Sequence, residues 1–184
     1  MSLSWLCTAV AGAAIGDRLV VSINSTPYSQ RHIETFLLTR ECLRENVAFT
    51  ENVLSEATWK QALASFIDDA LIHQEAYRVG SFQAGDSAIK IAREKFEKCR
   101  AQAPAATAAA TRLGLDERSL VRTLHTVLRI EAFKRNKEKQ SIVSRADDEG
   151  APKWFEEIKE RGVVRIFTGG EQYVPAQAVV TPAK

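Results

Sequence analysis

The segment Trp59-Lys60-Gln61-Ala62-Leu63-Ala64-Ser65-Phe66-Ile67-Asp68-Asp69-Ala70-Leu71-Ile72-His73-Gln74-Glu75-Ala76-Tyr77 sets Trp59, Leu63, Phe66, Ala70, His73 and Tyr77 at steps of four, three, four, three and four. That spacing returns to one face of an α-helix and is incompatible with the period of a strand. Ile67 and Leu71 widen the stripe, Ser55 stands where an N-cap belongs, and Gly80 ends the run. Similar but weaker patterns lie on both sides. Ser29 caps a helix to about residue 46, with Ile33, Phe36 and Leu37 on its apolar face. Val47 to Leu54 reads as a loop carrying Phe49 and Val53. Asp86 caps a third helix with Ile89, Phe96 and Cys99 inward, which breaks near Pro104. An alanine-rich run from Ala105 to Ala110 continues as helix to Leu113, and Gly114 stops it. Asp116 caps a fourth main helix with Leu120, Leu124, Val127, Leu128 and Ala132 on one face.

Outside this helical body the texture changes. Arg18-Leu-Val-Val-Ser-Ile-Asn24 is β-branched and ends at Asn-Ser-Thr-Pro, so it reads as a strand. Ser141 to Pro152 is polar and reads as a linker. A short helix to Arg161 follows, with Trp154, Phe155 and Ile158 inward, and then the strand Val163-Val-Arg-Ile-Phe167. Gly169-Gly170 turns the chain toward a further strand at Gln172 to Val174. A single strand at each end leaves backbone groups unsatisfied, so the two must pair with each other or with a partner. The expected fold is mostly α, with the N- and C-terminal strands pairing in a small sheet. The alternative is a strand-swapped homodimer hinged at Ser141–Pro152.

The 184 residues carry 25 Lys+Arg against 23 Asp+Glu, 45% hydrophobic and 26% charged residues. These proportions are globular and exclude wholesale disorder. A net charge of +2 offers no electrostatic footprint for nucleic acid. The cations from Lys134 to Lys139 are explained by the dipole of the helix end they occupy. Leu3 to Ile15 has the length and texture of a signal-peptide core, or else of an apolar arm, and is too short to span a membrane. Spacing alone cannot bring Cys42 and Cys99 within bonding distance, and two buried helical thiols are the preferred expectation, with a disulfide left open. No phosphate-loop, dinucleotide or nucleophile-elbow motif is present, and no His/Cys cluster suggests zinc. His32, His73 and His125 sit apart on separate helices. Asp68 and Asp69 point about 100° apart around a helix and read as a solvated face.

Val20 to Asn24 followed by Pro27-Tyr28-Ser29, the segment Trp59 to Ala76, Gly80 with Asp86, Leu124 to Lys134, and Trp154 to Ile158 with the strand from Val163 together resemble the chaperone domain of the SurA family of envelope folding factors. The resemblance runs from about residue 18 to 168. It divides the chain into an apolar or signal segment (1–16), a helical chaperone domain (17–140), a linker (141–152), a closing helix and strands (153–174), and a tail (175–184). In the family a prolyl isomerase domain commonly stands where residues 141–152 lie here, so isomerase activity does not carry over. What the resemblance implies is a non-enzymatic periplasmic holdase without cofactor or metal. Its partners would be unfolded or nascent envelope polypeptides, held in an apolar groove between helices. Phe36, Phe49, Val53, Tyr77, Phe82 and Phe96 are the candidate peptide-binding residues. Rival readings are a dimerisation or scaffold module of an envelope complex and, more weakly, a nucleic-acid binder resting on Arg118, Arg122, Arg129 and the cations that follow.

Overall fold

Asn24 and Ser25 both adopt positive φ, 47° and 69°, as a two-residue hairpin turn of type I′ requires. In the computed structural model, which describes residues 17–44, 56–80, 83–142 and 152–167, this turn joins β1 (Leu19–Ile23) to β2 (Thr26–Ser29). The Asn-Ser-Thr-Pro segment is thus a reversal into a second strand, not only the end of the first. Pro27 is tolerated there because β2 is an edge strand, where a missing N–H breaks no interior ladder.

β1 also pairs antiparallel with β3 (Val164–Ile166), giving the sheet order β2-β1-β3. Val21 stands opposite Ile166 and Ile23 opposite Val164. The two ends of the described chain therefore meet as neighbouring strands within one protomer. The third strand is Thr26–Ser29; the expected strand at Gln172 to Val174 lies outside the described residues. A register irregularity between Leu19 and Val21 lets Val20 and Val21 both be fully buried, where a regular strand would alternate them. Asn24 fastens the closure. Its backbone N–H donates to the Val163 carbonyl (2.8 Å), its Oδ1 accepts from the Val163 N–H (2.8 Å), and its Nδ2 donates to Gln74 Oε1 (2.8 Å). Gln74 Nε2 in turn donates to the Ile23 carbonyl (3.0 Å) and the Tyr28 hydroxyl (3.2 Å).

Six helices complete the described residues: α1 (Gln30–Leu43), α2 (Glu56–Arg78), α3 (Asp86–Gln102), α4 (Pro104–Arg112), α5 (Glu117–Ile142) and α6 (Lys153–Arg161). Their starts follow the sequence closely. Ser29 Oγ accepts from the His32 N–H, Pro104 occupies the first turn of α4, and Asp116 Oδ1 accepts from the Ser119 N–H at 2.7 Å. Asp86 is not a cap: Gly85 takes that position and Asp86 is the first helical residue, where its carboxylate still favours the dipole. α5 continues to Ile142, past the point where the linker was expected to begin. Gly162 follows α6 at a close approach: a Cβ there would lie 2.6 Å from Leu71 Cδ2, so a larger residue would push the Leu71 side chain aside.

Two apolar clusters share α1 and α5. The larger joins Val20, Val21 and Ile23 of the sheet to Ile33, Phe36 and Leu37 of α1, Leu63, Phe66, Ile67 and Leu71 of α2, Val127, Ile130 and Phe133 of α5, and Ile158 of α6. Tyr28, His32, Phe36 and Phe66 meet edge-to-face within it, with the Phe36–Phe66 centroids 5.3 Å apart. The smaller is built from Leu38 and Cys42 of α1, Ala92 and Phe96 of α3, the alanines of α4, Leu113, and Leu120 and Leu124 of α5. Cys42 and Cys99 form a disulfide, with Cα atoms 5.5 Å apart and 57 positions between them in sequence. Two free thiols, the preferred expectation, are thus replaced by a bond, because α1 and α3 lie side by side in this smaller cluster.

Candidate functional site

One face of each of four helices turns toward a common groove of about 1270 Å³. α2 contributes Thr58, Gln61, Ala62, Ser65 and Asp69, which recur every three or four residues on the flank beside its apolar stripe. α3 contributes Ala88, Ile91, Ala92 and Lys95, and α5 contributes Val127, Leu128, Glu131, Lys134 and Arg135. The C-terminal turn of α1 adds Arg40, Glu41, Leu43 and Arg44. The lining is therefore mixed: Leu43, Ala62, Ala88, Ile91, Ala92, Val127 and Leu128 are apolar, with Ile91 more than half exposed (56%), and charged side chains of all four helices stand among them.

The walls are ordered by ion pairs. Asp69, only 3% exposed, receives Arg40 Nη1 at 2.6 Å and Lys134 Nζ at 2.7 Å, one on each carboxylate oxygen. Arg40 Nη1 also donates to Ser65 Oγ at 2.7 Å. Glu41, itself buried, pairs with Arg40 at 3.1 Å and with Arg44 at 3.0 Å. An isolated carboxylate at such depth would be costly, and the paired cations offset that cost. Asp69 is thus the pin between α1, α2 and α5, in contrast to the solvated face expected for it. Lys134 likewise does more than complement the dipole of α5.

Of the six residues expected to bind peptide, three are described, and none lines the groove. Phe36 (3% exposed) belongs to the larger core and Phe96 (0%) to the smaller, so both are closed to any guest. Their helical spacing marks them as inward-facing, and inward here means core. Tyr77 is the opposite case: it is 71% exposed at the end of α2, with the Arg129 guanidinium 5.3 Å from its ring centroid. Phe49, Val53 and Phe82 lie outside the described residues. Aromatic residues do not mark the groove; a polar stripe does. Thr58, Gln61, Ser65 and Asp69 repeat at helical spacing in the same segment as the apolar stripe.

His73, on that apolar stripe, is held neutral. Burial pushes its pKa down to about 4, helped by Arg129, whose Nη1 lies 3.4 Å from Nε2, and by His32. A histidine near 6.5 when unfolded and about 4 when folded binds more protons in the unfolded state across that interval. Stability should thus be full above pH 6.5 and fall as pH drops toward about 4. His32, lowered by burial, acts in the same sense, and Asp68, raised by burial, in the opposite one. Urea unfolding of the parent and of His73→Gln isolates the term: the variant should lose part of the slope between pH 6.5 and 4. Identical slopes would remove His73 from the explanation.

Among the described residues no group of three metal-ligating side chains converges, and no helix is long and apolar enough to cross a membrane. Comparison of the chain with protein-family models, curated proteins and solved structures finds no match.

Proposed function

We propose that this chain is a non-enzymatic polypeptide-binding module, a SurA-like holdase without the isomerase domain, that works in the bacterial cell envelope and holds unfolded or nascent segments between its helices. The observation that carries this reading is the four-helix groove, whose lining sets apolar side chains among charges. Such apolar lining gains free energy by releasing water from a guest's apolar side chains. Ordering a disordered guest opposes capture, so each contact is weak and folding of the guest releases it. Five cationic and three anionic side chains line the groove, which favours guests with acidic residues among apolar ones. The Cys42–Cys99 bond suits an oxidising compartment. Among the described residues the end strands pair inside one protomer, which favours this reading over the swapped dimer.

An aggregation assay on a denatured client tests the reading. Equimolar protein should suppress light scattering. Ile91→Asp, which charges an exposed apolar position of the lining, and Ala88→Trp, which fills the groove, should weaken client binding about tenfold, the scale of one lost apolar contact. Tyr77→Ser, outside the groove, should leave it unchanged. An apolar-acidic peptide should bind more tightly than its apolar-basic counterpart. Equal activity of the parent and the two groove variants would sink the proposal.

A further inference from the structure

We infer that the Cys42–Cys99 disulfide is a redox latch on one wall of the groove, and that its reduction by a dithiol loosens α3 and α4 and lets a held polypeptide go. The release rests on the groove reading above; the loosening of the two helices does not. Cys42 lies in sequence between two groove-lining residues of α1, Glu41 and Leu43, and Cys99 lies one helical turn beyond Lys95 on the facing wall. The bond therefore ties together two of the four helices that define the groove.

Among the described residues, the apolar ties of that wall are few. α3, 17 residues long, buries only Ala92 and Phe96 completely, and α4 buries only three alanines. Small side chains bring little apolar area, so this layer gains much less from water release than the leucine- and phenylalanine-rich layer around α2. The polar ties have exposed cations. Arg112 reaches Glu34 at 2.7 Å with 43% of its side chain exposed, and Arg93 reaches Glu117 at 2.9 Å with both partners about half exposed. Arg31 donates to the Gly114 carbonyl at 3.1 Å. The Arg93–Glu117 pair, exposed on both sides, contributes little, whereas the burial of Glu34 makes the Arg112 pair a firmer tie between α4 and α1. Among the described residues the disulfide is thus the one covalent bond that fixes α3 to α1, and its loss should be felt first in α3 and in α4, which follows it.

The chemistry is a two-step exchange with an external dithiol. Cys99 is partly exposed while Cys42 is 7% exposed, so a reductant thiolate attacks Cys99 Sγ. The S–S bond breaks, Cys42 leaves as thiolate and takes up a proton. The reductant's second thiolate then displaces Cys99, which is also protonated, and the reductant closes its own disulfide. Two electrons and two protons pass to the protein.

The test is hydrogen exchange and peptide binding on the full chain, with Cys7→Ser as background so that Cys42 and Cys99 supply the only thiols. On adding dithiothreitol, amides of α3, and less so those of α4, should exchange up to about two hundredfold faster, the factor for freeing the stretch of about 20 residues between the end of α2 and Cys99. Those of α2 and β1 should hold. The Cys42→Ser/Cys99→Ser variant should behave as the reduced form with or without dithiothreitol. Affinity for the apolar-acidic peptide should fall at least about tenfold in both. Unchanged exchange in α3 and α4, or equal acceleration throughout the molecule, overturns the latch. Faster exchange with unchanged affinity overturns the release. If the oxidised protein holds no peptide, the groove reading fails, and exchange alone decides the loosening.

Discussion

Phe133→Ala should lower the free energy of unfolding by about 3–5 kcal/mol, the range for deleting a buried aromatic ring. The ring is 1% exposed and sits where α5 meets α6, edge-on to Trp154 with centroids 5.7 Å apart, and Lys137 Nζ lies 5.7 Å from its centroid. Removing it opens a void in the layer that carries α6 and, through Gly162, β3. The loss should therefore appear as weakened closure of the sheet as well as a lower urea midpoint. Phe133→Leu keeps most of the volume and should cost less than half as much. A deficit below about 1 kcal/mol for the alanine variant would mean that the α5–α6 contact is not part of the cooperative core.

Asp69→Ala should cost about 3 kcal/mol, the lower end for removing one member of a buried ion pair. The lower end applies because the orphaned partners can turn to water: the Arg40 and Lys134 side chains are 18% and 32% exposed. The informative comparison is the triple variant Arg40→Met/Asp69→Leu/Lys134→Met. It leaves no charge at the Asp69 site, and the buried Glu41 keeps Arg44 at 3.0 Å as its partner, so its stability should lie within about 1 kcal/mol of the parent. Its groove would keep Arg44, Lys95 and Arg135 against Glu41 and Glu131, so discrimination between acidic and basic peptides should weaken rather than vanish. A triple variant as unstable as Asp69→Ala would show that the pairs hold the helices together by more than mutual neutralisation. Urea unfolding and peptide titration on the same three proteins read both effects.

Much of the architecture was legible. The helix starts at Ser29, Pro104 and Asp116 follow from capping chemistry, and the pairing of the end strands follows from the need to satisfy backbone groups. The hairpin was not, because Asn24-Ser25 lacks the glycine that commonly announces such a turn. Nor was the inward face of α5. The expected face of Leu120, Leu124, Val127, Leu128 and Ala132 omits Ile130 and Phe133, which are 2% and 1% exposed. A single stripe is the right template for a helix that serves one core. α5 faces the smaller cluster with Leu120 and Leu124 and the larger with Val127, Ile130 and Phe133, so its buried side rotates along its length. α1 departs further still, with nine of its 14 residues buried, including Glu34 and Glu41, because it lies between both clusters. The groove escaped for a related reason. Aromatic residues are the candidates that a guest-binding surface suggests, but Phe36 and Phe96 are what the helices use on each other. The residues left over for the groove are alanine, isoleucine, serine and paired charges, whose individual signals are faint.

The bonds between Asn24 and Val163 span 139 positions, and this orders events during synthesis. While the ribosome is still making α6, β1 has only β2 beside it and shows an open ladder edge on the other side. A nascent chain released before Val163 leaves that edge bare and exposed to neighbouring chains. Contacts formed this late are also entropically distant, so the last step of maturation should be slower than the assembly of the helices.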